Sequence, residues 1–165
     1  AKRLKAYKQI GYEVVSGLQN EKQVVNAIYD GENYGQIYYR DLLDANKNII
    51  LSSPAISGQK VYELMDILKE KQASGIEVTV VTWTPDTYGF GDSAYWMQLH
   101  EEMRKAGFYI KTAEEACERF AVIDQEIVWY GNINLLAKSK MDDSIMRVQS
   151  KEIASELMEL TFGNK

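Results

Sequence analysis

The sequence predicts an α/β fold, in which a mixed, largely parallel sheet is flanked by helices on both faces. Two apolar, β-branched runs, NIILSS and IEVTVVTW, have the length and composition of buried strands. Between and after these runs, apolar residues recur with the three-to-four-residue spacing of helices. Because strands that alternate with helices are joined by right-handed crossovers, the pattern predicts parallel strands covered by helices.

The first part of the chain contains weaker patterns. Residues 1–22 are expected to be a lead-in or linker, because Gly11 and Gly17 interrupt any helical period, and residues 23–165 are expected to form the domain. A turn is predicted at residues 30–33 and a helix at 36–46. Four tyrosines in this region either stack on bases or sugars or pack against the sheet: Tyr29, Tyr34, Tyr38 and Tyr39.

The middle of the chain alternates between strands and helices. Strands are predicted at residues 48–53, 76–83 and 108–111. Ser57 is expected to cap the helix between the first two strands, and Gly75 to end it in a left-handed conformation. The next helix is expected to begin at Asp92 or Ser93 and to end at Gly107.

The stretch CERFAVIDQEIVWYGNIN, residues 117–134, predicts two short strands joined by a turn at residues 124–126. The side chains of four residues are expected to share one face, because side chains two apart along a strand point the same way: Cys117, Arg119, Ala121 and Ile123. Gly131 then marks a bend or a close backbone approach. A strand near 144–148 and a helix over 152–160 are expected to complete the fold.

Composition excludes several classes of function. The formal net charge of -5 argues against a broad basic surface for nucleic acid, and Lys138 and Lys140 are expected to be solvated surface residues. A single cysteine excludes an internal disulfide and is typical of the cytoplasm. No apolar run approaches the ~20 residues that cross a membrane. No metal-ligand spacing and no phosphate-loop signature occur, so no metal or cofactor is expected.

The connection TPDTYGFGDSAYW, residues 84–96, follows the second core strand at the end where open α/β sheets bind ligands. Its aromatic residues Tyr88, Phe90 and Tyr95 lie among glycines. They predict either a mobile aromatic lid over a site or side chains that fold back onto the next helix.

The spacing within residues 117–134 resembles the HKD motif of the phospholipase D superfamily: His-x-Lys, four residues, Asp, six residues, a Gly-Ser or Gly-Gly pair, one residue and Asn. On this chain Cys117 takes the place of the histidine, Arg119 of the lysine, and Asp124 of the aspartate. The later positions fall at Gly131, Asn132 and Asn134. The stretch FAVIDQEIVWYGNINLL, followed by SIMRV, is most similar to phospholipase D-like domains attached to bacterial helicases, over roughly residues 23–160.

The resemblance implies a site built from two such motifs about a twofold axis. In the family one histidine attacks phosphorus, the other protonates the leaving oxygen, and the lysines and asparagines hold the phosphate. A single motif therefore implies either a homodimer or a second HKD-like half from a parent protein. The resemblance implies that this parent protein is an ATP-dependent helicase. It also places Asp143 where helicase-associated relatives carry acidic residues near the site.

Cys117 is the main departure from the motif, because a thiol cannot replace an imidazolium as proton donor at neutral pH. The only histidine, His100, is expected to be a packed or surface residue of a helix. The main hypothesis is a non-catalytic module that binds nucleic-acid phosphate or a partner through Arg119, Asn132 and Asn134. The alternative is a phosphodiesterase or nuclease in which Arg119 makes Cys117 a thiolate nucleophile. A third hypothesis is a purely structural dimerisation module.

Overall fold

The computed structural model describes residues 26–85, 93–115 and 117–163, and within these ranges the chain forms one sheet and four helices. The strands are β1 (Ala27–Asp30), β2 (Asn48–Ser52), β3 (Glu77–Trp83), β4 (Tyr109–Ala113), β5 (Phe120–Ile123), β6 (Ile127–Gly131) and β7 (Ser144–Gln149). The helices are α1 (Gly35–Leu43), α2 (Gly58–Ala73), α3 (Ser93–Lys105) and α4 (Lys151–Phe162). Apart from β1, each element lies where the sequence predicts one.

The seven strands are ordered β1-β7-β6-β5-β2-β3-β4. The helical crossovers make β2, β3 and β4 parallel, whereas the tight turn between β5 and β6 allows only antiparallel pairing. β5 also runs antiparallel to β2, and β6, β7 and β1 continue in the same alternating way. The predicted α/β class with a mixed sheet is confirmed. The expectation that the sheet is largely parallel is corrected, because only β2, β3 and β4 pair in parallel and the other described pairings are antiparallel.

Helices cover both faces of the sheet, as predicted. On one face, Leu42 of α1, Leu64 of α2 and Leu99 of α3 belong to a single core together with inward-facing residues of the strands. On the other face, Ala154 and Leu157 of α4 pack in a smaller core over β2, β5 and β6. Alternation along the strands sends successive side chains to these two cores.

The ends of α2 follow the sequence signals. The Ser57 side chain accepts a hydrogen bond from the Lys60 backbone N–H at 3.3 Å, which satisfies one donor of the first turn. Gly75 has φ +95°, a backbone conformation that is strained in residues with a Cβ atom and unstrained in glycine. Both predictions are confirmed.

The tyrosines around α1 are mostly core residues. Tyr34 and Tyr38 are buried beside Trp129 of β6, and the Tyr38 and Trp129 rings meet edge to face with centroids 5.5 Å apart. Tyr29 also contacts the Trp129 ring. Of the two uses predicted for this group, the structure supports packing against the sheet.

Some predictions fall outside the described residues. These are the lead-in of residues 1–22, the cap at Asp92 and the aromatic residues Tyr88 and Phe90. Within the described part of the chain, every helix is too short or too polar to span a lipid bilayer.

Candidate functional site

The motif residues before β5 and after β6 meet at one edge of the sheet. Ser52, the last residue of β2, pairs with Phe120, the first residue of β5, because these strands are antiparallel. The Gly131 N–H, at the end of β6, points to the Arg119 carbonyl oxygen at 3.5 Å. Arg119 and Gly131 therefore lie at the carboxyl end of β2, where open α/β sheets bind their ligands.

Asn134 is held at the same edge by the loop that follows β2. The Ala55 N–H donates to Asn134 Oδ1 at 3.3 Å, and the Ser57 N–H donates to the Leu136 carbonyl oxygen at 2.8 Å. In return, the Leu136 N–H donates to Ser53 Oγ at 3.1 Å. These contacts join the two loops, and they use the oxygen of the Asn134 amide while its NH₂ group stays a donor.

Arg119 is a half-buried residue whose Nε is buried without a hydrogen-bond partner among the described residues. Buried polar groups in folded proteins are almost always paired, because an unpaired donor costs free energy. An unpaired guanidinium N–H at a ligand-binding edge therefore marks a position for an acceptor.

Cys117 lies closer to β2 than the predicted alternation implies. Its Sγ is 3.7 Å from Ser52 Oγ, which alternation places on the α4 face of the sheet. Ala121 and Ile123 instead belong to the core under α1, α2 and α3. The predicted common face therefore does not extend to Cys117, because the chain enters strand conformation only at Phe120.

The electrostatics of Cys117 favour the protonated thiol. Burial raises the pKa of Cys117, and this effect exceeds the lowering by the Ser52 hydrogen bond and the Arg119 charge. Arg119 acts in the direction that the alternative hypothesis requires, but desolvation disfavours the charged form and outweighs it.

Asp124 lies at the opposite edge of the sheet from Arg119, which corrects its grouping with Cys117 and Arg119 in one catalytic site. It sits in the turn after β5 with φ +59°, and Gln125 follows with φ +57°. Its carboxylate accepts hydrogen bonds from three backbone N–H groups at the start of β2: Asn46 at 3.0 Å, Lys47 at 2.7 Å and Asn48 at 3.3 Å. Asp124 therefore ties the hairpin to β2.

The remaining motif residues build the connection between β6 and β7. Asn132 Oδ1 accepts from the Ser144 N–H at 2.9 Å, and Asp143 Oδ2 accepts from the Lys140 N–H at 2.9 Å. A Cβ at Gly131 would collide with the Ser144 carbonyl oxygen, so only glycine allows this close approach. Asn132, Gly131 and Asp143 thus shape the edge on which Asn134 lies.

Sequence reasoning missed a cavity of about 120 Å³ beside these loops, at the start of α2. Its lining residues are Ser57, Gln59, Lys60, Glu63, Lys138 and Ser139. The cap at Ser57 was the available signal, since it locates the start of α2. Lys138, an exposed residue as the sequence predicts, is one of the lining residues.

His100 is a buried residue of α3, 1% exposed, and its Nε2 has no hydrogen-bond partner among the described residues. Burial, followed by the charge of Arg104, lowers the pKa of His100, so the imidazole is neutral at neutral pH. No group of three or more His, Cys, Asp or Glu side chains in the described ranges is arranged to hold a metal ion.

Comparisons with known proteins agree with this architecture. The family model described as "Cardiolipin synthase, PLD-like domain" matches residues 38–161. The chain is similar in structure to NucT from Helicobacter pylori, with a TM-score of 0.59 and 11% identity over 82% of this chain and 91% of that one. A phospholipase D family member, Nuc from Salmonella typhimurium, gives a TM-score of 0.58 and 13% identity over the same shares.

A third similar structure is TrmBL2, an archaeal chromatin protein, with a TM-score of 0.60 and 13% identity over 96% of this chain and 60% of that one. No curated protein sequence matches the chain significantly. At these identities the structural likeness shows the fold, whereas the family model spans most of the sequence. The chain therefore belongs to the phospholipase D-like family described as the cardiolipin synthase, PLD-like domain.

Proposed function

We propose that this domain binds a backbone phosphate of nucleic acid at the carboxyl edge of its sheet and does not cleave it. The observation that carries the proposal is the buried Nε of Arg119, which lacks a hydrogen-bond partner among the described residues. A phosphodiester oxygen would satisfy this donor once the guanidinium group turns outward, because protein atoms enclose Nε in this structure. The NH₂ group of Asn134 supplies a second donor from the neighbouring loop.

A phosphate fits the chemistry of this position better than a neutral ligand. The guanidinium group presents N–H donors in a planar fork, which matches phosphate geometry and forms strong charge-assisted hydrogen bonds. The net charge of the chain is -5, so a long basic surface does not supply the affinity. Binding of this kind is local, and its strength depends on Arg119.

Cleavage of a phosphodiester would need a nucleophile and an acid for the leaving oxygen. Burial raises the pKa of the Cys117 thiol, which lowers its thiolate fraction. His100 is buried in α3, and its lowered pKa leaves it without an acidic proton at neutral pH. These two observations weigh against the alternative, a phosphodiesterase or nuclease with Cys117 as nucleophile.

Nucleic acid is the preferred source of the phosphate. TrmBL2, which shares the fold, is described as a chromatin protein with a novel mode of DNA binding. The association with an ATP-dependent helicase, the bacterial origin and the cytoplasmic location stay predictions that rest on the sequence.

The test is binding of a fluorescein-labelled oligothymidylate, followed by fluorescence anisotropy. We expect Arg119→Gln to weaken binding roughly tenfold, since it removes a charge-assisted hydrogen bond. Arg119→Lys keeps the charge but loses the fork, and an intermediate affinity is expected. Arg104→Gln, an equal charge change at an exposed position of α3, is the matched control.

The same protein is incubated with bis(p-nitrophenyl) phosphate, DNA and RNA, and no hydrolysis above background is expected. Turnover that disappears in Cys117→Ser would establish the phosphodiesterase alternative. Equal losses of affinity in Arg119→Gln and Arg104→Gln would show general charge attraction and remove the proposed site.

A further inference from the structure

The cavity at the start of α2 is large enough for one part of a ligand and too small to enclose a whole one. Its volume of about 120 Å³ is small beside the ~300–1,000 Å³ of pockets that enclose whole small-molecule ligands. A space of this size suits one small group, such as a phosphate. Since Lys60 and Lys138 line it from two separate segments, we call it the lysine pocket.

The lysine pocket carries a surplus positive charge. Its one acidic residue, Glu63, is already paired, because Lys60 Nζ lies 3.6 Å from Glu63 Oε2 and the Tyr39 hydroxyl donates to the same oxygen. Lys138 adds a second ammonium group that this carboxylate does not neutralise. The pocket therefore has a net attraction for an anion.

Lys60 is positioned by aromatic rings. Its Nζ lies 5.7 Å from the centroid of Tyr34 and 5.5 Å from that of Tyr39, within the range of cation–π contacts. Burial alone would lower the pKa of Lys60, but Tyr34, Tyr39 and Glu63 together raise it above its ordinary value. The ammonium group is therefore charged and fixed.

Lys138 lies next to the site at Arg119 and Asn134. The Ala137 N–H donates to the Asn134 carbonyl oxygen at 3.1 Å, which closes a turn whose first and last Cα atoms are less than about 7 Å apart. Lys138 follows this turn directly. Its backbone is held on both sides, by the Leu136 contact with Ser57 and by the Ser139 hydroxyl, which donates to the Gly31 carbonyl oxygen at 3.2 Å.

We propose that the lysine pocket takes a second phosphate of the nucleic-acid strand whose first phosphate lies at Arg119 and Asn134. The ligand of the domain is then a polynucleotide and not a single phosphodiester. This inference rests on the proposed function, because the first phosphate fixes the strand beside the pocket. Binding of the second phosphate becomes intramolecular, so it adds affinity without a large further loss of freedom.

The test compares Lys138→Gln with Lys140→Gln, an equal charge change two residues away on an exposed position that does not line the pocket. Oligothymidylate binding is measured over a series of salt concentrations. We expect Lys138→Gln to weaken binding about twofold to fivefold, and to lower the slope of log affinity against log salt by about 0.7. Lys140→Gln is expected to leave both quantities unchanged.

A second probe separates this proposal from the proposed function. The dinucleotide TpT carries one phosphate, and its binding is followed by NMR chemical shifts. We expect Arg119→Gln to weaken TpT binding by a similar factor of roughly ten and Lys138→Gln to leave it unchanged. If Lys138→Gln and Lys140→Gln bind oligothymidylate equally, the lysine pocket is excluded while an Arg119→Gln loss still supports the first site.

If Arg119→Gln binds both probes as the wild type does, the proposed function itself fails. Vesicles of phosphatidylglycerol test the lipid alternative for the same chemistry. Vesicle binding that is lost in Lys138→Gln, with oligothymidylate binding unchanged, would assign the pocket to a lipid headgroup and overturn the proposal.

Discussion

Arg147 of β7 and Asp41 of α1 form a buried, bidentate ion pair, with Nε 2.7 Å from Oδ2 and Nη2 2.9 Å from Oδ1. The Trp129 indole N–H donates to the same carboxylate at 2.8 Å. Both charged side chains are almost fully buried, Arg147 at 3% exposure and Asp41 at 4%. The group joins α1 to the antiparallel half of the sheet.

We predict that Arg147→Met destabilises the domain by about 3–5 kcal/mol, because it leaves the Asp41 carboxylate buried without its cation. Urea unfolding followed by circular dichroism measures this loss. The double variant Asp41→Leu with Arg147→Met removes both charges and is expected to recover most of the stability, except for the unpaired Trp129 N–H. A loss below about 1 kcal/mol for Arg147→Met would contradict the prediction.

The sequence alone cannot predict this ion pair, because its partners lie 106 positions apart and neither position has a local signal. The elements that could be predicted have such signals. The apolar run of β2 and the cap and glycine of α2 are local features, and the structure confirms them. β1 was missed because a four-residue edge strand has too few residues for a period.

The positions of the candidate site residues were predictable in part for the same reason. Motif spacing located Arg119, Gly131 and Asn134, whose backbone positions follow from the β5–β6 hairpin. Spacing could not show that Cys117 turns towards Ser52, nor that Asp124 binds amides more than 70 positions away. Both facts depend on how β5 pairs with β2, which no local pattern specifies.

Asp124→Ala is predicted to lower stability by about 1–3 kcal/mol, because three backbone N–H groups lose a charged acceptor. Asp124→Asn keeps an acceptor oxygen and tolerates the positive φ, so its loss is expected to be smaller. Oligothymidylate affinity of the folded protein should not change, since Asp124 lies at the other edge. A variant of normal stability that loses binding would return Asp124 to the site.

The Cys117 thiol is predicted to react slowly with iodoacetamide at neutral pH. Burial raises the pKa of this thiol, and the thiolate is the reactive form, so its reactive fraction is below that of a free cysteine. The rate should therefore keep rising with pH above the range in which N-acetylcysteine levels off. Alkylation at pH 7 as fast as N-acetylcysteine would show an activated thiol.

His100 is predicted to make the domain less stable as the solution becomes acidic. Burial lowers the pKa of His100 in the folded state, so below the unfolded value of about 6.5 the unfolded chain binds a proton that the folded chain resists. The penalty is absent above that pH and grows as the pH falls. Urea unfolding of wild type and His100→Gln at a series of pH values isolates this contribution.

As the pH falls from about 7.5 to 5, the unfolding free energy of the wild type should decrease relative to that of His100→Gln. Parallel pH curves would contradict the assignment to His100. Carboxylates also titrate in this range, but they are common to both proteins and cancel in the difference.

The final prediction concerns assembly, since one HKD-like motif per chain implies a second half. We expect a homodimer in which the edges that carry Arg119 and Gly131 face each other about a twofold axis. Trp129 cannot contribute to such an interface, because it is fully buried in the core. Tyr130 can, because it is 38% exposed and directly precedes Gly131.

Sedimentation equilibrium at tens of micromolar protein tests this prediction. A dimer with a dissociation constant in that range has a free energy of association of roughly -6 kcal/mol. Tyr130→Ser should shift the protein towards monomer, because a functional interface of upward of ~1,000 Å² depends on a few aromatic anchors. Tyr109→Ser is the matched control, since Tyr109 is 62% exposed on β4, at the opposite side of the sheet. A wild-type monomer, unaltered by either substitution, would exclude a paired site within this chain and leave the second half to a parent protein.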